Sequence, residues 1–180
     1  VRGITAGGGT STVIDFYNIS SGGTALDFGD LTSGRATPNA TSNAHGGLSE
    51  GYQGTRIAPI PQGAGAGQRL LAFAGYTDAY VKTIDTLTIS TLGNMSNFGE
   101  SNELQQSLGG CSSSTRGVCI NGSAPSSLSS MRYVQFATEG NAADFGDVST
   151  YRRGDTGGSN ETRGFIGGGY DGSNRINTVS

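Results

Sequence analysis

"GFIGGGYDGSNRINTVS", residues 164–180, decides how the rest of the chain is read. An apolar pair runs into three glycines, then a tyrosine, a polar turn and an alternating run. Near-copies of its opening occur upstream: "RGITAGGG" (2–9), "RLLAFAGY" (69–76) and "RGVCINGS" (116–123), against "RGFIGGGY" (163–170) here. The alternating run also recurs, as "VIDFYNIS" (13–20), "TIDTLTIS" (83–90), "SMRYVQFA" (130–137) and "RINTVS" (175–180). A third marker is a turn leading to Phe-Gly: "GGTALDFGDL" (22–31), "GNMSNFGESN" (93–102) and "GNAADFGDVS" (140–149).

The markers share one interval. Arg69, Arg116 and Arg163 are each 47 apart, as are Phe98 and Phe145. From Ile19 to Phe28, Ile89 to Phe98 and Phe136 to Phe145 the gap is 9. Only the first unit is longer, by 23 residues, and the surplus falls between Phe28 and Arg69. Three markers in fixed order with a common offset define an internal repeat.

Composition agrees with thin sheets and many turns. Glycine takes 32 of 180 positions, well above the usual share of about 7%. Leu, Ile, Val and Phe make up just under a fifth, but the net charge of −3 is too small for a disordered polyelectrolyte. These features point to an all-β protein. "ELQQSL" (103–108) is the best helical candidate, one and a half turns long. The charge favours neither nucleic acid nor an anionic membrane, and no apolar run approaches the ~18 residues of a bilayer span. The chain lacks an initiating Met and a signal-peptide pattern, so a processed chain or a piece of a longer one is expected.

A 47-residue unit of alternating strands suits four antiparallel strands, A to D, as in one blade of a β-propeller. The assignment is A "GGCSSS" (109–114), B "GVCIN" (117–121), C "MRYVQFA" (131–137) and D "DFGDV" (144–148). Strand A, small and polar, is expected innermost. The glycine cluster lets the backbone leave strand B with positive φ, and Gly-Asn at 93–94 and 140–141 is turn chemistry joining C to D. The chain then holds three and a half units as one domain, 1–180. Three and a half blades do not close a ring of ~4–8. A longer chain, or closure by further copies, is expected to cover the open edges.

The run of apolar residues, paired glycines, Tyr-Asp-Gly, polar turn and third strand resembles a Kelch repeat, over nearly the whole chain. Kelch units usually carry a Trp on the fourth strand; this chain has none, and Phe28, Phe98 and Phe145 occupy that place. "GNAADFGD" with "CSSSTRGV" further resembles a Gly-rich repeat of virion structural proteins, tail-fibre-like or surface proteins of marine tailed phages.

Hairpin parity puts A–B and C–D turns on one rim, B–C and D–A links on the other. The B–C loops vary in sequence, and the insertion, at about 46–68, is expected in a D–A connection on the same rim. Variation over a fixed scaffold marks a binding face. Its candidate ligand-binding residues are Tyr52, Tyr76, Asp78, Tyr80, Tyr170, Asp171, Asn174 and Arg175. Rings that stack and short polar groups that hydrogen-bond suit sugars or protein surfaces. The plainer reading is turn chemistry, with Asp and Asn closing Asx-turns.

Other motifs lose their force in context. "DFGD" (27–30, 144–147) contains the DFG of protein kinases but recurs as "NFGE" (97–100), so it belongs to the repeat. The pairs Asp27/Asp30, Asn97/Glu100 and Asp144/Asp147 are turn-capping groups first and cation ligands second. "GAGAGQ" (63–68) lacks the last glycine of a dinucleotide fingerprint. Cys111 and Cys119 fall on adjacent strands, and one residue of register decides whether they meet. His45, the only histidine, has no GxSxG elbow with which to work.

The expectation is a non-enzymatic virion protein of a tailed phage, a tail fibre or surface decoration, with no cofactor and no metal. It would present loops to a host surface glycan, to other virion proteins or to further copies of itself, in an extracellular setting. Lys82 is the only lysine, which fits weakly salt-dependent attachment. The alternatives are a carbohydrate-active propeller enzyme, galactose-oxidase-like or sialidase-like, and a cellular Kelch protein–protein adaptor.

Overall fold

The computed structural model describes residues 2–42, 69–123, 128–160 and 162–180. Every regular element among them is a β-strand, and no helix occurs. The strands are β1 (Arg2–Ala6), β2 (Val13–Asn18), β3 (Leu26–Asp30), β4 (Asn39–Ser42), β5 (Arg69–Thr77), β6 (Ala79–Thr88) and β7 (Ser96–Gln105). They continue with β8 (Gly109–Ser112), β9 (Arg116–Ile120), β10 (Ser130–Gln135), β11 (Ala143–Asp147), β12 (Thr156–Ser159) and β13 (Gly164–Gly167).

Four antiparallel sheets result, with orders β1-β2-β3, β4-β5-β6-β7, β8-β9-β10-β11 and β12-β13. The sheets do not close on themselves. Each full sheet is one repeat unit, so β8 to β11 are strands A to D of the third unit, within two residues of the sequence assignment. The first unit contributes B, C and D. The fourth contributes A and B, with Val179 bridged to Gly167.

Period-two alternation splits strand β5 between two cores. Leu71 and Phe73 join Ile84, Phe98, Cys119, Val134 and Phe136 in a core between the second and third sheets. Leu70 and Ala72 face the other way, toward Ile14, Phe28, Leu31 and Met95 from the first and second units. A third, smaller core of Val118, Ile120 and Ile166 lies between the third and fourth sheets. The sheets therefore stack with apolar layers between them, and the second is buried on both sides.

A β-bulge recurs at one position in three units. The register shifts between Ile14 and Asp15, between Ile84 and Asp85, and between Met131 and Arg132. In each case the residue left over on strand D is the Phe of Phe-Gly. A bulge re-aims a side chain; here it turns Phe28 and Phe98 toward the following unit.

Strand B ends as its glycines foretell. Gly7, Ala74, Asn121 and Gly168 have φ of 71°, 50°, 56° and 69°, and the glycine after each has φ of 109°, 123°, 112° and 100°. The second of these positions comes close to the preceding D–A link: a Cβ on Gly75, Gly122 or Gly169 would lie 2.9, 3.0 or 3.1 Å from the carbonyl oxygen of Ala36, Gln106 or Arg153. Only glycine meets both demands.

Two expectations are corrected. "ELQQSL" is not helical: residues 103–105 end strand β7, held there by pairing across the unit boundary. Gln106 and Ser123 exchange two backbone hydrogen bonds of 2.9 Å, and the buried Gln105 donates through Nε2 to Asn121 O at 3.3 Å. Non-local pairing outweighs so short a helical preference. The insertion is not in a D–A connection. Strand β4 precedes it and pairs with β5, Ser42 opposite Leu70, so it joins strands A and B of the second unit. Its flanking residues, Ser42 and Arg69, lie at the rim of the C–D turns, opposite the B–C loops. Residues 43–68, with His45, Tyr52 and "GAGAGQ", lie outside the described residues.

Candidate binding rim and the unit junctions

The B–C rim carries two separate groups of the predicted residues. In the second unit strands β5 and β6 are extended and meet at a tip, where Thr77 pairs with Ala79 around Asp78. Asp78 takes φ 58°, which Asp tolerates better than most residues. Tyr76 pairs with Tyr80, their rings 5.6 Å apart and edge to face at 77°. Tyr76 is exposed and Tyr80 half-buried, so one edge of the pair is open to a ligand.

In the fourth unit Tyr170 occupies the place of Tyr76. It lies under the Arg153 guanidinium, 5.1 Å from ring centroid to Cζ, and its hydroxyl donates to Gly172 O at 2.9 Å. Asp171 closes an Asx-turn: Oδ1 accepts the N–H groups of Asn174 at 2.6 Å and Ser173 at 2.8 Å. Those two backbone hydrogen bonds hold its carboxyl below the ordinary carboxylate range. The Asp171 side chain thus closes its turn, as the plainer reading expects, while Asn174 joins the turn through its backbone N–H and carbonyl. Tyr170, Arg153 and Arg175 line a hollow of about 600 Å³ beside Ser107 and Ile176. Arg153 was not among the sequence candidates for the rim; its cation–π contact explains the tyrosine's orientation.

Two of the paired acids, Asp30 and Asp144, accept hydrogen bonds within their own units. Asp30 Oδ1 accepts from Thr12 Oγ1 at 2.8 Å, and Asp144 Oδ1 from Gly146 N at 3.1 Å. Among the described residues no group of three or more His, Cys, Asp or Glu is placed to hold a metal. The cysteines miss each other by one register step: Gly110 stands opposite Cys119, and Cys111 opposite Val118. They point to opposite faces and both are free. Burial pushes the Cys111 thiol up and that of Cys119 to about 12.

Successive units are joined by a set of junctions that sequence reading did not find. The Phe-Gly strands of the first and second units each dock on the Gly-Asn turn of the next unit. Gly93 N donates to Phe28 O at 3.0 Å, Met95 N to Asp30 O at 2.7 Å, and Asp30 N to Asn94 Oδ1 at 3.0 Å. The next junction repeats this: Gly140 N to Phe98 O at 2.9 Å, Ala142 N to Glu100 O at 2.8 Å, and Glu100 N to Asn141 Oδ1 at 3.1 Å. A Cβ on Gly29 or Gly99 would overlap the carbonyl of Gly93 or Gly140.

A polar peg from each D–A link adds to this. Arg35, fully buried, pairs with Asp85 of the second unit and donates through Nη1 to Ala74 O at 3.2 Å and Thr83 O at 3.1 Å. Burial pulls the Arg35 pKa down, and Asp85 opposes that. At the next junction Arg132, the equivalent of Asp85, pairs instead with Glu103, two residues before Gln105 at the end of β7. Equivalent positions 35, 105 and 152 are thus buried as Arg, Gln and Arg. The signal was a polar residue seven positions after each Phe of Phe-Gly: Arg35, Gln105 and Arg152. No family model and no curated protein matches this sequence.

Proposed function

We propose that the chain is a non-enzymatic structural protein of a tailed-phage virion, an arc of Kelch-like β-propeller blades that holds its B–C rim toward a host surface glycan or a neighbouring virion protein. The observation that carries this reading is the aromatic rim on a stiff support: Tyr76 and Tyr80 stand at the tip of the longest hairpin, whose strands are buried on both faces below them. Tyrosine supplies a rigid, amphipathic contact surface at small entropic cost. The Arg153–Tyr170–Arg175 hollow supplies guanidinium donors beside a ring, a combination suited to sugar hydroxyls and carboxylates.

A glycan array tests this, comparing the natural chain with Tyr76→Ser/Tyr80→Ser, with Tyr170→Ser, and with residues 46–68 deleted. The reading expects loss of binding in the tyrosine variants. It expects retained binding in the deletion, because that segment is anchored at the opposite rim. An array silent for the natural chain, or a deletion that alone abolishes binding, removes the rim from consideration.

A further inference from the structure

One place in strand C holds an aromatic ring in the first and third units and a threonine in the second. Phe16 and Tyr133 occupy it, opposite Leu26 and Ala143 of strand D. Each ring stands edge to face against the Phe of its own Phe-Gly, with centroids 6.0 Å apart for Phe16–Phe28 and 5.9 Å for Tyr133–Phe145. In the second unit the same cross-strand pair is Thr86 opposite Ser96, two small hydroxyl residues. A hollow of about 230 Å³ opens there, lined by Arg69, Thr86, Thr88, Leu92, Ser96 and Glu139. It lies at the rim of the C–D turns, between the second and third units, each of which has all four strands.

Two observations mark this hollow as a place for a polar ligand. Thr86 is only 7% exposed, and its Oγ1 is buried with no hydrogen-bond partner. Buried polar groups are paired as a rule, so an orphaned hydroxyl in a cavity wall asks for a partner inside the cavity. The second observation is Arg69. Its equivalent, Arg116, lies over the Tyr133 ring, 4.7 Å from Cζ to centroid. Arg69 finds threonine where that ring would be. Its Nη1 donates to Phe136 O at 2.7 Å, which fixes the guanidinium at the edge of the hollow.

We propose that the hollow binds one neutral sugar ring, a hexopyranose, in the place of the missing aromatic side chain. Size limits the ligand to a single ring, because drug-sized ligands occupy about 300–1,000 Å³. Arg69 and Glu139 bring one charge of each sign, which favours a ligand with no net charge. A sugar hydroxyl both donates and accepts, so it can pair with Thr86 Oγ1, accept from Arg69 and donate to Glu139. The site is on the opposite rim from Tyr76 and Tyr80, and it stands or falls independently of the glycan reading there.

The test titrates the nitrogen-15-labelled chain with glucose, galactose, mannose and N-acetylglucosamine, and with phenol as an aromatic ring. The expected result is saturable shifts of the Thr86, Thr88 and Ser96 amides with at least one sugar and none with phenol. Thr86→Val removes the hydroxyl and keeps the shape; it should weaken binding about tenfold without lowering the melting temperature, since Oγ1 has no protein partner to lose. Thr86→Tyr supplies the third unit's side chain and should abolish binding. Tyr76→Ser/Tyr80→Ser should leave it unchanged. Absence of sugar-dependent shifts at these amides overturns the proposal, as does binding of phenol in preference to every sugar. So does undiminished binding by Thr86→Val, which decides the matter even if Thr86→Tyr fails to fold.

Discussion

Ser112 and Ser159, 47 residues apart, hold each other across neighbouring sheets. The Ser159 hydroxyl accepts the Ser112 N–H at 3.1 Å and donates to Ser112 O at 2.6 Å. Ser112 in turn donates through Oγ to Ser42 O of the preceding unit at 2.7 Å. The same position in three successive units thus forms a ladder along the inner strands. A serine hydroxyl that both donates and accepts is the smallest group able to do this.

Ser159→Ala leaves the Ser112 N–H and carbonyl without this partner. We expect a loss of about 1–3 kcal/mol, read from urea unfolding, against a near-neutral effect of Ser173→Ala in the exposed turn.

Arg35 and Asp85 form a buried pair, and each is an uncompensated charge without the other. Arg35→Met and Asp85→Leu alone should each cost about 3–5 kcal/mol, while the double variant should cost much less. A double-mutant cycle in urea measures the coupling; additive losses would show that the pair does not tie the first unit to the second.

Gly99→Ala tests the Phe-Gly junction. Its Cβ would overlap the Gly140 carbonyl, a backbone atom that cannot rotate away. We expect a loss of about 2–4 kcal/mol or failure to fold. Gly8→Ala, in open space at φ 109°, should cost only its conformational strain, about 1–2 kcal/mol. Thermal melts of the two variants separate steric from conformational cost.

The two thiols should differ in reactivity. At pH 8 a disulfide reagent should modify the half-buried Cys111 slowly and Cys119 only after denaturant is added. The raised pKa of Cys119 also sets a pH dependence. Its neutral thiol contributes fully below the ordinary value of 9.0, and that contribution is lost as pH rises toward about 12. Cys119→Ala should therefore flatten the fall in stability across that range.

Much of the fold was legible because it is local and periodic. The 47-residue interval, the strand boundaries of the third unit and the positive φ after strand B follow from spacing and glycine placement. What escaped was non-local. The insertion was misplaced because the short strand β4, "NATS", has no apolar alternation to announce it. The Phe of Phe-Gly was recognised as a marker, but only the bulge shows why it points at the next unit. The burial of Arg35 and Arg152 depends on a neighbouring sheet and has no local signal. On the rim, Tyr76 and Tyr80 are brought together, whereas the Asp171 carboxylate is engaged by its own turn.

The central claim is that equivalent positions of successive units lie against each other. Nuclear Overhauser contacts in a labelled sample measure this directly. The account predicts cross-peaks between Gly110 and Gly157 and between Ser112 and Ser159, together with contacts from Gly99 to Gly140. Sheets with the same strands but no contacts at the 47-residue interval would contradict it.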